Sequence, residues 1–484
     1  MGAPGKKRDR GAAPAVRARL AVHVALAARP DGAIDACFDG VSVGLGKFGA
    51  AVAKRAQALR TGLPLGALAS GGRTIDKDMH RLVRRLAGHG LLEYGFGTPG
   101  EDHVVIEPQV ADYWPRVPKL GEADILVLSR FAYLRRRGDD LVLESPRAEA
   151  LFSIRDPEIA AILAMLSTPQ PIKRLRRRAG FPGLALLGLL VDCKILLKIK
   201  AGDRGLRAAE GGPDLVLWDF HDLLFHARST EGRHANPTGG LYSYADHMAP
   251  LPATRPRWPG TTIDLGEFVD PQAISPFAKL LRERHSARDF DDRRPIGIAE
   301  LARFLDGAAR VLSTWSLRAE FGEDAPMVAH TARPYPSAGA SYGLELYVAV
   351  DKCDGLARGF YHYDAGTHAL VAIDARADEL AALLTGAAFA MGAETAPQVL
   401  LTIAARFGRV SWKYSAIAYA LILKDAGVLM QTLYLMATDM GLGGCAIGSH
   451  NIKLFAEMTG IEFHVESPVG QFALGRPKSG AADE

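Results

Sequence analysis

The segment Ser411–Gly427 reads SWKYSAIAYALILKDAG, and its surroundings decide the fold of the C-terminal part of the chain. It follows the apolar run Val399–Ala404, which we interpret as a buried strand, and it opens a long helical pattern, Ile417–Asp439. Lys413 and Tyr414 lie side by side where strand gives way to helix. From the pattern alone they are either surface residues at a helix start or the acid–base pair of an active site.

Strand-like and helix-like segments alternate through the last 220 residues or so. The predicted elements are helix Ala299–Val311, helix Ile417–Asp439, and strands Leu344–Val350, Gly359–Tyr363, Val399–Ala404 and Gln471–Leu474. This order predicts an α+β domain over residues 261–484, with a central, mainly antiparallel sheet flanked by helices. The apolar stretch Ala416–Met440 contains Lys424 and Asp425, which favours a core helix over a membrane span.

The whole chain has the composition of a globular protein of more than one domain. It has 484 residues, of which 48% are hydrophobic and 23% charged, and its formal net charge is +4. Such a small charge gives no reason to expect a nucleic-acid partner for the chain as a whole. The four cysteines have no CxxC spacing, so we expect neither a zinc site nor disulfides, and a reducing cytoplasm. No motif predicts a metal site or a membrane partner.

The first two hundred residues contain a weak internal repeat. After a basic tail, residues 1–17, which we expect to be disordered, helical patterns and a strand pair occur over residues 18–115, and a similar order recurs over residues 120–202. Each repeat resembles a winged-helix unit. Residues 203–260 end in the Pro-rich run APLPATRPRWPG, which is typical of a connector between domains.

The basic run KRLRRR, Lys173 to Arg178, allows three interpretations. Winged helices often bind DNA, so the run is a candidate for groove contacts. It is also typical of a solvated helix face. The third interpretation is a cradle for a peptide that adds a strand to the edge of the wing.

Four motifs in the C-terminal domain have residue types suited to a phosphorylated, planar cofactor. Within RERHSARDF (Arg282–Phe290), Arg284, Arg288 and Ser286 offer two guanidinium groups and a hydroxyl, the donors that a phosphate monoester prefers. The small-residue turns in RPYPSAGASYGLELYVAV (Arg333–Val350) and GLGGCAIGSHN (Gly441–Asn451) let backbone amides approach a ring. ALGRPK (Ala473–Lys478) adds positive charge near the C-terminus. No GxGxxG follows a strand and no GxxxxGK[ST] occurs, so Rossmann and P-loop sites are not supported.

These motifs, in this order, resemble the nitroreductase-fold flavoproteins, and specifically the SagB-type azoline dehydrogenases. The resemblance rests on RHSAR, RPYPSAGASYGLELY, KYSAIAY, DAGVLMQTLYLMATDMGLGGCAIG and LGRP. The N-terminal repeats are similar to the peptide-clamp domains of cyanobactin-type oxidases. The resemblance implies an enzyme that uses FMN to oxidise thiazoline or oxazoline rings to azoles in a ribosomally made peptide.

The resemblance also implies roles for particular residues. Those expected to hold FMN are Arg284, His285, Ser286, Arg288, Pro336, Ser337, Ala338, Gly339, Gly448, Ser449 and Arg476. Members of this fold build two sites across a dimer interface, so Ser337–Gly339 would reach the FMN of a second subunit. A precursor peptide is the expected substrate, and a cyclodehydratase is the expected partner enzyme.

Azoline oxidation removes a hydride and a proton from adjacent ring carbons, so the protein has to supply a base. The resemblance assigns that role to Lys413, with Tyr414 orienting it or passing the proton. A solvated lysine is a poor base near neutral pH, and burial or a neighbouring cation would improve it. Two other functions remain open from sequence: a nitro or quinone reductase that uses NAD(P)H, and a winged-helix regulator with a flavin-sensor domain.

Overall fold

The computed structural model describes residues 14–38, 40–69, 71–98, 100–200, 208–235, 238–270 and 273–478. The described residues divide into two compact units. The first contains residues up to Arg228 together with Gly232–Ala235, and the second contains Ser229–Glu231 and the residues from Thr238 onward. Most of the predicted tail, residues 1–13, lies outside the described residues, and its last part already belongs to a strand that begins at Ala15.

The first unit is rich in strands. Its strands are β1 Ala15–Leu20, β2 Ala25–Ala28, β3 Ala33–Phe38, β4 Val41–Lys47, β5 Leu63–Pro64, β6 Leu92–Thr98, β7 Glu101–Pro108, β8 Ile125–Leu128, β9 Tyr133–Arg137, β10 Asp140–Glu144, β11 Ala150–Ile154, β12 Gln170–Pro171 and β13 Leu196–Ile199. Its helices are α1 Ala50–Ala56, α2 Thr74–Gly88, α3 Pro157–Met165, α4 Ile172–Leu175, α5 Leu184–Asp192 and α6 Phe220–Arg228. The helical patterns and the strand pair expected over residues 18–115 are present as α1, α2 and the hairpin β6–β7.

The two predicted N-terminal units, 18–115 and 120–202, form one body rather than two. Strand β7 of the first repeat pairs with β11 of the second, in register from Val104↔Ile154 to Pro108↔Ala150. This pairing links strands of both repeats into one seven-stranded sheet of order β5-β1-β6-β7-β11-β10-β9. One hydrophobic cluster, from Val16 to Leu196, likewise includes residues of both repeats. The edge of β7 finds its backbone partners in the other repeat, which is why the repeats do not separate.

The first part of the predicted connector, residues 203–260, is not a linker. Glu210 is buried and accepts hydrogen bonds from Ser129 Oγ at 2.7 Å, Arg130 N at 2.6 Å and Arg147 Nη1 at 3.0 Å. The guanidinium of Arg130 also donates to the carbonyls of Ala208, Leu215 and Trp218. Residues 208–228 are therefore part of the packed first unit. Residues 241–270, which belong to the second unit, are exposed throughout.

The second unit is the α+β domain that the sequence predicts. Its strands are β14 Ser313–Arg318, β15 Met327–Ala332, β16 Leu344–Val350, β17 Gly359–Asp364, β18 Ala369–Ile373, β19 Val399–Arg406, β20 Gly443–Ile447 and β21 Glu466–Gly475. Its helices are α7 Pro276–Glu283, α8 Ile298–Ala309, α9 Ala377–Met391, α10 Phe407–Ser411, α11 Ala418–Asp439 and α12 Ile452–Thr459. Six strands form an antiparallel sheet of order β18-β17-β16-β19-β21-β20, and β14 and β15 form a separate hairpin.

The long helix α11 is the core helix expected from the sequence. By length and composition alone it could cross a membrane. In the second unit, however, its Leu429 and Leu433 are fully buried. Its Asp425 is also buried and is hydrogen-bonded to a loop of the same unit. The helix therefore packs along much of its length, and it positions the residues described next.

Candidate active site

Lys413 and Tyr414 lie in a short turn between α10 and α11. The central strand β19 runs directly into α10, and the backbone amides of both residues donate to the carbonyl of Val410, at 3.1 and 3.0 Å. Ala416 takes a left-handed conformation, φ 61°, and separates this turn from α11. The Lys413 side chain is exposed, with Nζ 5.5 Å from the centroid of the Tyr414 ring. The fold thus fixes the backbone of the pair and leaves the ammonium group accessible.

The predicted small-residue loop is anchored by a residue to which the sequence motifs assign no role, Asp425 of α11. The Asp425 carboxylate accepts a hydrogen bond from Ser337 Oγ at 2.6 Å and another from Ala338 N at 3.1 Å. Ser337 Oγ in turn accepts from Tyr342 N at 3.0 Å. Asp425 is 7% exposed, and bonds to a buried carboxylate are among the stronger hydrogen bonds in proteins. The loop therefore has a fixed shape.

This loop meets the Lys413–Tyr414 turn at Gly339. Gly339 has φ 55° and ψ 29°, a conformation that glycine adopts without strain. A Cβ atom at this position would lie 3.1 Å from Lys413 Nζ and closer still to Tyr414 Oη. The structure thus brings together two predicted groups that are distant in sequence, and the glycine allows their close approach.

The predicted phosphate-binding segment packs against strand β20 through Tyr434 of α11. Ser286 Oγ lies 2.7 Å from Tyr434 Oη, which also accepts a hydrogen bond from Ala446 N at 2.8 Å. The Arg284 guanidinium lies over the Tyr434 ring at 4.9 Å. Ala287 N donates to Gly444 O at 2.9 Å. Segment 284–288 is therefore held beside the glycine-rich strand, as the motifs suggest.

The charges of this segment are available for an anion. Among the described residues, neither Arg284 nor Arg288 forms an ion pair with a carboxylate. His285 is exposed, with Nδ1 3.1 Å from Glu283 O. Burial raises the pKa of the Cys445 thiol, and the positive charge of Arg288 nearby opposes that shift. Two unneutralised guanidinium groups beside a serine hydroxyl suit a phosphate monoester.

The remaining predicted residues have different surroundings. Arg476 forms an ion pair with Glu300, with Nη2 2.8 Å from each carboxylate oxygen, and its Nε donates to Arg294 O. The bonds from Gly297 N and Arg476 lower the pKa of Glu300. The Arg476 guanidinium is thus already committed to a carboxylate within the chain. Gly448 is exposed and Ser449 half-buried just beyond β20, and Pro336 is exposed at the start of the loop.

The predicted cofactor residues fall into two groups on opposite faces of α11. Asp425 holds the Ser337–Gly339 loop, and Tyr434 holds Ser286. These two anchors are nine residues apart, which on an α-helix corresponds to about 2.5 turns and a rotation of roughly 180°. One group supplies small residues with Lys413 and Tyr414, and the other supplies the phosphate donors.

Both groups fit parts of a flavin mononucleotide. The missing Cβ at Gly339 lets the Lys413 amine and the Tyr414 hydroxyl approach the backbone of the small-residue loop, so a base lies beside a loop suited to a flat ring. The hydroxyl of Ser286 and the guanidinium groups of Arg284 and Arg288 match the chemistry of a phosphate. The residues present therefore suit the cofactor that the sequence resemblance implies.

A cavity of about 670 Å³ opens beside Lys413. Its walls come from the hairpin β14–β15, the loop at Gly339–Ser341 and the residues just before Lys413. Its lining residues are Trp315, Leu317, Arg318, Ala319, Glu320, Phe321, Val328, His330, Gly339, Ala340, Ser341, Arg409, Trp412 and Lys413. A cavity of this size accepts a group such as a five-membered ring with its flanking residues.

His450, just after the predicted Gly448 and Ser449, makes the stability of the second unit depend on pH. It is buried, and burial lowers its pKa from 6.5 to about 4. In the unfolded chain the ring takes up a proton below pH 6.5, whereas in the folded chain it stays neutral until about pH 4. The neutral ring therefore contributes about 3 kcal/mol to the free energy of unfolding above pH 6.5. This contribution is lost as the pH falls towards 4.

Replacing His450 by leucine should remove that pH dependence. We expect the difference in unfolding free energy between the wild type and His450→Leu to change by about 3 kcal/mol between pH 7 and pH 4, in favour of the variant at low pH. Urea denaturation at several pH values measures it. The exposed His285 provides the control, because His285→Leu removes a histidine that is not buried. An equal pH slope for wild type and His450→Leu would contradict the prediction.

Comparison with known proteins finds one family that matches part of the N-terminal half of the chain and another that matches the C-terminal domain. Residues 126–235 match the family described as cyanobactin oxidase ThcOx, and residues 281–476 match the nitroreductase family. The chain is 34% identical over 141 residues to the putative nitroreductase MJ1384 of Methanocaldococcus jannaschii, which is 29% of this chain and 69% of that protein. These matches confirm the resemblance suggested by the motifs, and they identify an oxidoreductase of a family that typically binds flavin.

Two solved structures with similarity to the chain cover different shares of it. A putative nitroreductase of Ralstonia eutropha JMP134 is 23% identical, with 44% of this chain and 87% of the other covered and a TM-score of 0.32. The Escherichia coli microcin synthetase McbBCD complex with truncated pro-MccB17 bound gives 19% identity, coverage of 55% and 97%, and a TM-score of 0.39.

Proposed function

Because the chain belongs to the nitroreductase family, we propose that it is an FMN-dependent dehydrogenase that converts azoline rings to azoles in a ribosomally made precursor peptide. The observation that carries the proposal is the contact at Gly339. There the small-residue loop, which suits a flat ring, meets a lysine and a tyrosine. A base beside a ring-binding loop is what removal of a proton and a hydride requires.

The residues of this chain divide the work as follows. Bound FMN supplies the acceptor for the hydride that leaves the azoline carbon. Lys413 Nζ takes the proton from the adjacent ring carbon, so that the ring loses two hydrogens in all and gains a double bond. Tyr414, whose ring lies 5.5 Å from Nζ, orients the amine. Arg284, Ser286 and Arg288 would hold the phosphate, and we expect molecular oxygen to be the final electron acceptor.

A homodimer explains the two groups on α11. Within one chain the Lys413–Gly339 group and the Arg284–Arg288 group are anchored on opposite faces of the helix. In our proposal each site takes its phosphate donors from one subunit and its base and small-residue loop from the other. Two equivalent sites then form across a twofold axis.

The first unit serves as the peptide-binding part of the enzyme. The match of residues 126–235 to the cyanobactin oxidase family supports this role. Strand β13 lies at the edge of the sheet β12-β8-β13, where a peptide could add as a further strand. Helix α4 has four residues, and Arg176 pairs with Glu122, which argues against a DNA recognition helix.

We place the enzyme in the cytoplasm, with a cyclodehydratase supplying its substrate.

The proposal is tested by the mass of the product. The purified protein is checked for bound FMN by absorbance, then incubated under air with a precursor peptide that a cyclodehydratase has already cyclised. A loss of about two mass units per ring is the expected result. Rapid oxidation of NADPH, with no mass change in thiazoline or oxazoline peptides, would instead identify a nitro or quinone reductase.

A further inference from the structure

The hairpin β14–β15 forms one wall of the cavity beside Lys413, and we call this cavity the hairpin groove. All six residues of β14 are exposed. Arg409 joins the hairpin to the candidate site, because its guanidinium donates to Ala329 O on β15 and to Ser341 O at 2.8 Å. The groove is therefore fixed next to the reacting position.

Two aromatic pairs make the groove apolar. Trp315 and His330 stack with ring centroids 5.8 Å apart and an interplanar angle of 17°. The ring centroids of Phe321 and Trp412, which also line the groove, lie 6.5 Å apart. The side chains of Trp315, Phe321 and Trp412 are 39%, 72% and 50% exposed. Aromatic surface left open in a cavity is typical of a site that binds a partly apolar ligand.

The charge of the groove is positive. Arg318, Arg409 and Lys413 line it, and among the described lining residues Glu320 is the one carboxylate. None of the three cations forms an ion pair with a described carboxylate. Burial, and then the charge of Arg406, lower the pKa of Arg409, as expected for a cation without a counter-ion. A ligand that brings a carboxylate would neutralise this excess.

We propose that the hairpin groove binds the stretch of the precursor peptide next to the azoline ring, and that it selects a stretch with an aromatic residue beside an acidic one. This inference rests on the proposed function. The aromatic side chain lies between the two ring pairs, and the acidic side chain faces Arg318. Selection at this point is separate from recognition by the first unit, because the groove lies wholly within the second.

The binding test uses a product-like peptide, so that no turnover is needed. The probes are two fluorescein-labelled peptides, Gly-Phe-Glu-thiazole-Gly and the same peptide with Gln in place of Glu, titrated with the full-length protein and followed by fluorescence anisotropy. We expect the Glu peptide to bind about tenfold more tightly, as for one charge-assisted hydrogen bond. Arg318→Gln should reduce the difference to about twofold or less, and Trp412→Ala should weaken both peptides.

Two exposed residues outside the groove supply matched controls. Arg303→Gln removes a surface arginine of α8, and Phe389→Ala removes an aromatic ring that is 88% exposed on α9. Both variants should keep the preference for Glu. Equal binding of the two peptides by the wild type, or an unchanged preference in Arg318→Gln, would overturn the proposal. The second result would also follow if a second copy of the chain covered the groove.

Turnover of the corresponding thiazoline peptides separates this inference from the proposed function. If the rings are oxidised at equal kcat/KM with Glu and Gln beside them, the function stands and the groove proposal fails. If the probes show the Glu preference and its loss in Arg318→Gln, but no ring is oxidised, the groove binds acidic aromatic peptides and the proposed reaction fails.

Discussion

Replacing Lys413 by alanine should abolish azole formation while FMN remains bound. The lysine supplies the base in the proposed reaction, and removal of a general base lowers rates by about 10²- to 10⁴-fold. The phosphate donors are anchored through Tyr434, on the opposite face of α11 from Asp425, which anchors the Gly339 loop beside Lys413. The absorbance of bound flavin should therefore be unchanged in Lys413→Ala. Product mass and single-turnover kinetics measure the chemical step.

Lys413→Arg separates the charge of the residue from its function as a base. A guanidinium keeps the positive charge but cannot be deprotonated in proteins, so this variant should be nearly as inactive as Lys413→Ala. Tyr414→Phe removes only the hydroxyl beside Gly339 and should have a smaller effect. Lys453→Ala is the control, because Lys453 pairs with Glu457 on α12. Azole formation at the wild-type rate in both Lys413 variants would mean that the pair is only a helix start.

Replacing Asp425 by alanine should damage both the loop and the reaction. The substitution leaves Ser337 Oγ and Ala338 N without their acceptor, and each lost partner of a buried group costs roughly 1–3 kcal/mol. The Ser337–Gly339 loop would then lose its fixed position beside Lys413. A misplacement of about 1 Å lowers rates by about 10²-fold, so we expect kcat to fall by that order with a smaller change in KM.

A conservative variant distinguishes positioning from general destabilisation. Asp425→Asn keeps one oxygen that can accept from Ser337 or Ala338, so it should recover part of kcat. Denaturation measures stability, and limited proteolysis reports on the loop. Thr432→Ala, further along α11, is the control, because the Thr432 hydroxyl donates only to Val428 O of its own helix. A kcat that follows stability alone across these variants would contradict a role for Asp425 in placing the loop.

The sequence predicts the parts of the site that are local motifs. The Lys413–Tyr414 pair and the turn at Gly339 are each recognisable within a few residues, and the structure shows that they adjoin. Asp425 could not be assigned in this way, because an aspartate in an apolar helix is visible only as an interruption of the pattern. Its partners, Ser337 and Ala338, are more than 80 residues away.

The hairpin β14–β15 was missed for a different physical reason. Detection of a strand relies on alternation between buried and exposed positions, and every residue of β14 is exposed. Helices α9 and α12 were also not predicted. In contrast, the strands β16, β17 and β19 and the helices α8 and α11 lie within two residues of their expected bounds. Strands β16 and β19 are buried almost throughout, and such strands are visible in a sequence as continuous apolar runs.

The pairing of β7 with β11 limits which segments of this protein can be exchanged by recombination. A cut between the repeats would expose the hydrogen-bonding edge of β7 and divide a shared core, and an uncovered edge strand promotes aggregation. The smallest N-terminal segment that could be exchanged intact between such enzymes therefore extends from Ala15 to Ala235, which includes all helices and strands described in the first unit together with Gly232–Ala235. If one repeat were replaced by that of another protein, its strand at this junction would have to pair with the remaining β7 or β11.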